Sequence, residues 1–586
     1  MSKIQSGVVL DEDQGKQQSI QNNKKEQKER LKTKEKEREK EREKEREKEK
    51  EKEKTPMTQE QLESHLWDAA ALLRGSIDSG DYKIYIFGLL FYKRLCDLWN
   101  ETYEILLLKF DGDAQKASDS QEHRFHIPFG CMWYEDLRPE PSKDDWPKYT
   151  NNPNKNIPKT IRDWKSDIGK GLQYAFAEIE AHNPKLKGVF QYVDFSNTDR
   201  FTDILLDRLL GHFEKYRMRS CDVDAHILGN SYEYLISRFA DDAGKKGGEF
   251  YTPKEVVSLL VDIIQPQLGD SLYDPTCGSG GMLLEAVHYL RKKQHNMDDI
   301  KTLRLYGQEK NINTWAICNM ALFLQDIDDA QIERGDTLLE PKHKKEDGSL
   351  ETFDVILANP PFSLRNWGFG VWNSETGDPY NRIQWGLPPK GYGDYAFIQH
   401  MLSSIKPNGK IGVVVPMGVL FRGGKEQSIR KKIVDQNLIS AIVGLGPNLF
   451  YGASIPAALI FMKKGKEANM KHKILFVNAE KEIKEGIAQS YLTPQNMERI
   501  ARVVKGNIEE PLFSRIVDKE EIIENAYNLN IIRYVSTELP PPKIDVQQSL
   551  QQLRNIKTDL DSEYQSFFDR FEDIFGNCQD NHKKEM

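Results

Sequence analysis

The sequence predicts an α/β protein: a doubly wound sheet domain flanked by an N-terminal helical domain and a C-terminal helical region. Three observations carry this. Between about 270 and 463, short Val/Ile-rich runs alternate with helix-period segments, as buried parallel strands and their crossovers do. Two of the runs end in special loops, at Asp274 and at Asn359. On either side, the strand pattern gives way to apolar residues spaced three and four apart.

Residues 1–56 are polar and then dominated by a Glu/Lys/Arg run that can bury no core. The alternation sets opposite charges at i,i+3 and like charges at i,i+4, so the helix gain partly cancels. The run reads as disordered or as a fluctuating helix, a solvated extension rather than an interaction tail. A helix starts at Thr58, where Thr58-Gln59-Glu60-Gln61 has the capping-box form and Leu62, Leu66, Ala69 and Leu73 share one face. Tyr82 to Tyr103 is apolar almost all round and reads as a buried helix. Loops and helical patches follow to about 225.

Ile227 to Phe239 has helical spacing and leads into GKKGGEFYTPKEVVSLLVDII. Thr252 is an expected N-cap, with Pro253 at the first helical position and Glu255 completing a capping box. The Gly247-Gly248 pair before it suggests a loop that closes on a ligand.

Next comes SLYDPTCGSGG, Ser271 to Gly281. A strand ends at Asp274, and a turn through Thr276, Gly278, Ser279, Gly280 and Gly281 opens a helix running to about Lys293. The glycines admit a ligand to the backbone, and the helix start offers free N–H groups. A second strand (Leu303, Leu305, Tyr306) ends at Glu309, where nucleoside-binding α/β domains hold ribose hydroxyls. The helix Thr314–Leu324 and a short strand Gln331–Arg334 lead to Gly335-Asp336.

The strand of Val355, Ile356 and Leu357 then stops at Asn359-Pro360-Pro361-Phe362. Two prolines neither donate to a sheet nor continue a helix, so the polar Asn359 sits fixed at a strand end. Residues 363–390 form a long polar loop whose length suggests function or mobility. A helix (Tyr395–Ile405), strands at Lys410–Pro416 and Ile439–Leu445, and a loop with a strand in Leu449–Met462 complete the sheet. Tyr451 has two readings, a ring facing a flipped base or a core residue. From Leu550 to Ile574 the apolar residues mark one helix face, either a helix packed on its own domain or a partner-docking helix. The chain thus divides into 1–56, 57–225, 226–480 and 481–586.

Composition narrows the function. The net charge of −8 is unlike that of a chain gripping DNA alone through many phosphates. The six cysteines are scattered with no Cys-x-x-Cys, which argues against a zinc site and fits a reducing cytoplasm. No run approaches the roughly 18 apolar residues of a membrane span, and no signal peptide is visible.

The ordered set GGEFYTP, DPTCGSGG, GQE, GD, NPPF and FYGASIPAALIFM resembles the modification subunits of type I restriction–modification systems. The likeness covers about 57–580. It implies a Rossmann-like methyltransferase domain that uses S-adenosyl-L-methionine to methylate N6 of adenine in double-stranded DNA. It also implies that the target base is flipped out of the duplex. By the same likeness, Glu249, Phe250, Tyr251, Thr252, Pro253 and Lys254 form one wall of the cofactor pocket, and Asp336 contacts the cofactor's adenine. Asn359, Pro360, Pro361 and Phe362 carry catalysis, and no metal is needed. Implied partners are a specificity subunit, a second copy of the chain and a restriction subunit. Related loops also serve RNA and protein-glutamine methyltransferases, and a non-catalytic scaffold is the alternative outside enzymes.

Overall fold

The computed structural model describes residues 56–139, 158–243, 252–374, 377–450, 456–486, 489–536 and 545–575. The Glu/Lys/Arg run, Glu249 to Tyr251, and Tyr451 lie outside these residues. The chain forms two units, one ending at Val535 and the other beginning at Ser536.

The first unit is built on one nine-stranded sheet. Its strands are β1 (Ser271–Asp274), β2 (Arg304–Glu309), β3 (Gln331–Arg334), β4 (Phe353–Ala358), β5 (Ile405–Pro416), β6 (Ile439–Leu445), β7 (Ala457–Lys463), β8 (Lys473–Ala479) and β9 (Ser514–Asp518). They lie in the order β3-β2-β1-β4-β5-β7-β6-β8-β9. The first five are mutually parallel neighbours, as their apolar runs and intervening helices predict. Every residue of β1 is buried, and so are Val355 to Ala358 of β4.

The chain steps outward from β1 to β2 and β3, then returns to the other side of β1 with β4. The sheet therefore has its switch point between β1 and β4, where α/β sheets bind ligands beyond the strands' carboxyl ends. The Asp274 turn and the Asn359 loop leave those two strand ends side by side.

The far half of the sheet differs from an all-parallel expectation. β7 is antiparallel to both β5 and β6. Among the described residues no helix lies between β6 and β7, so β7 returns beside β6 without the crossover that parallel pairing needs. β9 pairs antiparallel with β8 inside a stretch that reads as helical from its sequence. Its five residues include charged Arg515 and Asp518 and are too few to show a clear period-two pattern.

The helical domain forms as its spacing predicts. Thr58 caps helix Gln59–Leu72: its hydroxyl accepts from Gln61 N at 3.3 Å, and Gln61 Oε1 accepts from Thr58 N at 3.0 Å. Leu62, Leu66, Ala69 and Leu73 are fully buried. Helix Tyr82–Lys109 is buried along most of its length, with Lys93 paired to Asp97 inside it. One continuous apolar core joins this domain to the sheet. Helix Ala225–Ala243 is a joint in it: the Tyr232 ring lies 3.8 Å from that of Phe87, and its hydroxyl donates to Ile317 O at 2.7 Å. Arg124 adds a clamp, pairing with Asp326 and Asp328 at 2.7 and 2.9 Å.

Among its described residues, the second unit forms one long helix, Val546–Phe575, with no buried residue. Leu550, Leu553, Ile556, Leu560, Tyr564, Phe567, Phe571 and Ile574 are all exposed along it.

Candidate active site

A cavity of about 1090 Å³ opens over the switch point. Thr252, Lys254, Asp274, Thr276, Gly278, Ser279, Gly281, Glu309, Asp336 and the whole of Asn359 to Phe362 line it. Pro253 and Gly280 do not. Pro253 is buried just before helix Lys254–Ile264, and Gly280 caps helix Gly281–Lys292 from the left-handed region, with φ of 90°.

Three acidic residues of the cavity, Asp274, Glu309 and Asp336, accept from backbone N–H groups. Asp274 Oδ1 accepts from Thr276 N at 2.9 Å, and burial raises its carboxyl from 3.8 to about 8. Glu309 accepts from Gly278 N at 3.0 Å and from Asn311 N at 2.6 Å, and burial raises its pKa despite these bonds. Neither carboxylate has an ion-pair partner among the described residues. Asp336, further out, pairs with Lys310 at 2.9 Å and accepts from Leu338 N at 3.0 Å. A pocket with two desolvated, cation-free carboxyls suits a ligand that brings hydroxyls and positive charge.

Asn359 lines the cavity and is held from one side. Its Nδ2 donates to the Thr252 hydroxyl at 2.8 Å, while its buried Oδ1 has no hydrogen-bond partner among the described residues. An amide carbonyl left unmet beside a cavity is an acceptor waiting for an N–H donor. The Phe362 ring is half-buried next to it, with the Phe450 ring centroid 5.8 Å away.

Residues 223–540 match the family model of N-6 DNA methylases, and residues 62–213 match the HsdM N-terminal domain. The chain belongs to the N-6 DNA methylase family. It is 29% identical over 516 residues to the type I restriction enzyme MpnII methylase subunit of Mycoplasma pneumoniae, covering 83% of this chain and 91% of that one. It is 31% identical over 519 residues to the MjaVII methylase subunit of Methanocaldococcus jannaschii, covering 85% and 82%. The crystal structure of a type I methyltransferase subunit from Streptococcus thermophilus superposes with a TM-score of 0.66 at 28% identity. That match covers 82% of this chain and all of the other. This chain is thus a methylase subunit of a type I restriction–modification system, of the N6-adenine class.

Three features of the methylase escape its sequence. Thr252 caps nothing: the helix N-cap is Pro253 without a side-chain bond, and the Thr252 hydroxyl goes to Asn359 instead. A capping box is a local pattern, whereas Asn359 arrives from far along the chain. Phe450 brings a further ring to the cavity wall, while its neighbour Tyr451 lies outside the described residues. The loop after Phe362 is anchored rather than open. Its Trp367 and Trp372 pack with Leu338 and Phe397, and its fully buried Arg382 pairs with Asp378 at 2.6 Å. Arg382 also donates to Thr337 O at 3.2 Å and Leu338 O at 2.9 Å, which pins the loop to the corner bearing Asp336. A run of Trp and Arg amid polar residues was the only hint of this.

Proposed function

We propose that the cavity binds S-adenosyl-L-methionine and that the Asn359 loop presents the N6 amine of a flipped DNA adenine to it. The Oδ1 of Asn359, unpartnered among the described residues, carries this reading. S-adenosyl-L-methionine, when bound, supplies an electrophilic methyl group on a sulfonium. The turn from Asp274 to Gly281 and the segment Glu249 to Lys254 cradle it. Glu309 takes its ribose hydroxyls, and Asp336 its adenine.

An exocyclic amine is a poor nucleophile, because its lone pair is delocalised into the ring. Asn359 Oδ1 and the Pro360 carbonyl accept its two N–H groups and hold the nitrogen with its lone pair turned toward the methyl group. The amide does this by orientation and electrostatics, since it is no base. Thr252 holds the amide with the carbonyl outward. Phe362, with Phe450 near it, offers the apolar slot in which a flipped base stacks. Pro361 stiffens the loop.

DNA sequence choice comes from a separate specificity subunit, docked on the apolar stripe of Val546–Phe575. A second copy and a restriction subunit complete a cytoplasmic assembly, and no described helix is long and apolar enough to cross a membrane.

Asn359→Ala tests the centre of this reading. Methyl transfer to DNA should fall by about a hundredfold or more, while calorimetry shows S-adenosyl-L-methionine still binding. Transfer at the wild-type rate would remove Asn359 from the chemistry.

A further inference from the structure

The catalytic loop must leave its strand, present Asn359 and Phe362, and turn away without drift. The turn away is made at Ser363, whose φ is 51°. A non-glycine residue stays in the left-handed region only where its surroundings hold it there. Ser363 lines the cavity; the groups that hold it do not.

Two side chains grip this residue. The Ser363 N–H donates to Asp394 Oδ1 at 2.8 Å, and its hydroxyl accepts from Arg422 Nη2 at 3.1 Å. Arg422 Nη1 then closes the ring by pairing with Asp394 Oδ2 at 2.8 Å. Asp394 is the first residue of helix Asp394–Ser403 and is 3% exposed. Its carboxylate serves the loop and Arg422. The preceding residue helps, since Gly393 N donates to Leu364 O at 3.0 Å.

Arg422 is itself tightly placed. Its guanidinium lies 4.4 Å from the Tyr392 ring centroid and reaches Glu426 Oε1 at 3.1 Å. Its carbonyl accepts from Arg430 Nη1 at 3.0 Å, and Arg430 is buried. A fork-shaped guanidinium can hold a carboxylate and a hydroxyl at once, which an ammonium on a flexible stem does poorly.

We infer that Asp394 and Arg422 are positioning residues for methyl transfer, fixing the strained exit of the catalytic loop at Ser363. The inference rests on the catalytic reading of Asn359 above. Both residues act through Ser363, and neither touches the reacting atoms. Loss of the clamp lets Ser363 relax toward the ordinary backbone regions, which swings Phe362 and the adjoining carbonyls off line. A misplacement of about 1 Å is enough to slow transfer about a hundredfold.

The test uses the full chain in its native complex, with labelled S-adenosyl-L-methionine and unmethylated genomic DNA. Single-turnover transfer and cofactor affinity are measured for Arg422→Lys, Asp394→Asn, Ser363→Ala and the pair Asp394→Asn/Ser363→Gly. Arg422→Lys and Asp394→Asn should slow transfer about tenfold or more, with cofactor Kd within about twofold of wild type. Ser363→Ala, a mild change that keeps the strain and loses one bond, should slow it several-fold. Glycine takes positive φ unaided, so Ser363→Gly should restore much of the rate lost in Asp394→Asn. Wild-type transfer in Arg422→Lys, Asp394→Asn and Ser363→Ala overturns the inference. So does a loss of cofactor binding parallel to the loss of rate, or the absence of glycine rescue. If Arg422→Lys does not fold, Ser363→Ala and the glycine pair decide alone. Asn359→Ala, run alongside, separates the two failures: an active Asn359→Ala sinks the catalytic reading, whereas an inactive one beside normal clamp variants sinks only the clamp.

Discussion

Asp274 and Thr252 show what a residue's neighbours do to its expected role. Asp274 stands where its motif places it, at the end of β1, and is 2% exposed. Burial raises its carboxyl from 3.8 to about 8, so over that range the folded chain keeps a proton that the unfolded chain gives up. A raised pKa stabilises the fold at low pH, and that contribution is lost as pH rises toward the folded value. The ligand-free protein should therefore lose Tm between about pH 5 and pH 8 relative to Asp274→Asn, which has no proton to release. Matched melting curves at the two ends of that range check this; a constant difference would mean Asp274 is ionised throughout. The motif positions of Asp274, Glu309 and Asn359 were legible because each is a polar residue closing an apolar run. Thr252 was legible as a cap and, by resemblance, as part of the pocket wall, but not as the partner of Asn359, which lies 107 residues on.

Among the elements, the glycine turn before helix Gly281–Lys292 forms part of the cavity wall. Gly280 has φ of 90°, and a Cβ there would meet Cys318 Sγ at 2.9 Å. Gly280→Ala should lower stability by about 1–3 kcal/mol and weaken cofactor binding, because strain and the neighbouring thiol both move the turn. Chemical denaturation and calorimetry on the same variant measure the two effects. The turn was readable as a ligand-approach loop, but its close packing on Cys318 was not, because Cys318 comes from another helix. The loop after Phe362 shows the opposite limit. Length suggested function or mobility, and buried Trp367, Trp372 and Arg382 make it a brace on the Asp336 corner. The β7 reversal was equally unreadable, since an apolar run carries no strand direction.

The whole molecule is one unit to Val535 followed by a helix with no buried residue of its own. Leu553, Leu560 and Phe567 are 67%, 52% and 62% exposed, in a stripe of a kind that soluble surfaces rarely leave uncovered. Changing all three to Glu should leave Tm and cofactor binding within error, because none of the three side chains is buried. Co-purification with the specificity subunit should fail, and methylation of DNA with it. Normal assembly of that triple variant would move the docking site elsewhere.

Periodicity and punctuation in the chain were enough for the α/β class, the helical flanks apart from β9, and the two loops of the cavity. Those features are local: an apolar run, a glycine turn and a double proline act within a few residues. Tertiary structure alone decided who meets whom at those loops. It turned Thr252 from a cap into the partner of Asn359, put Phe450 in the cavity wall, and gathered Asp394 and Arg422 behind Ser363. Each of these pairings joins residues distant in the chain, and a hydrogen bond between such residues leaves no spacing in the sequence to read.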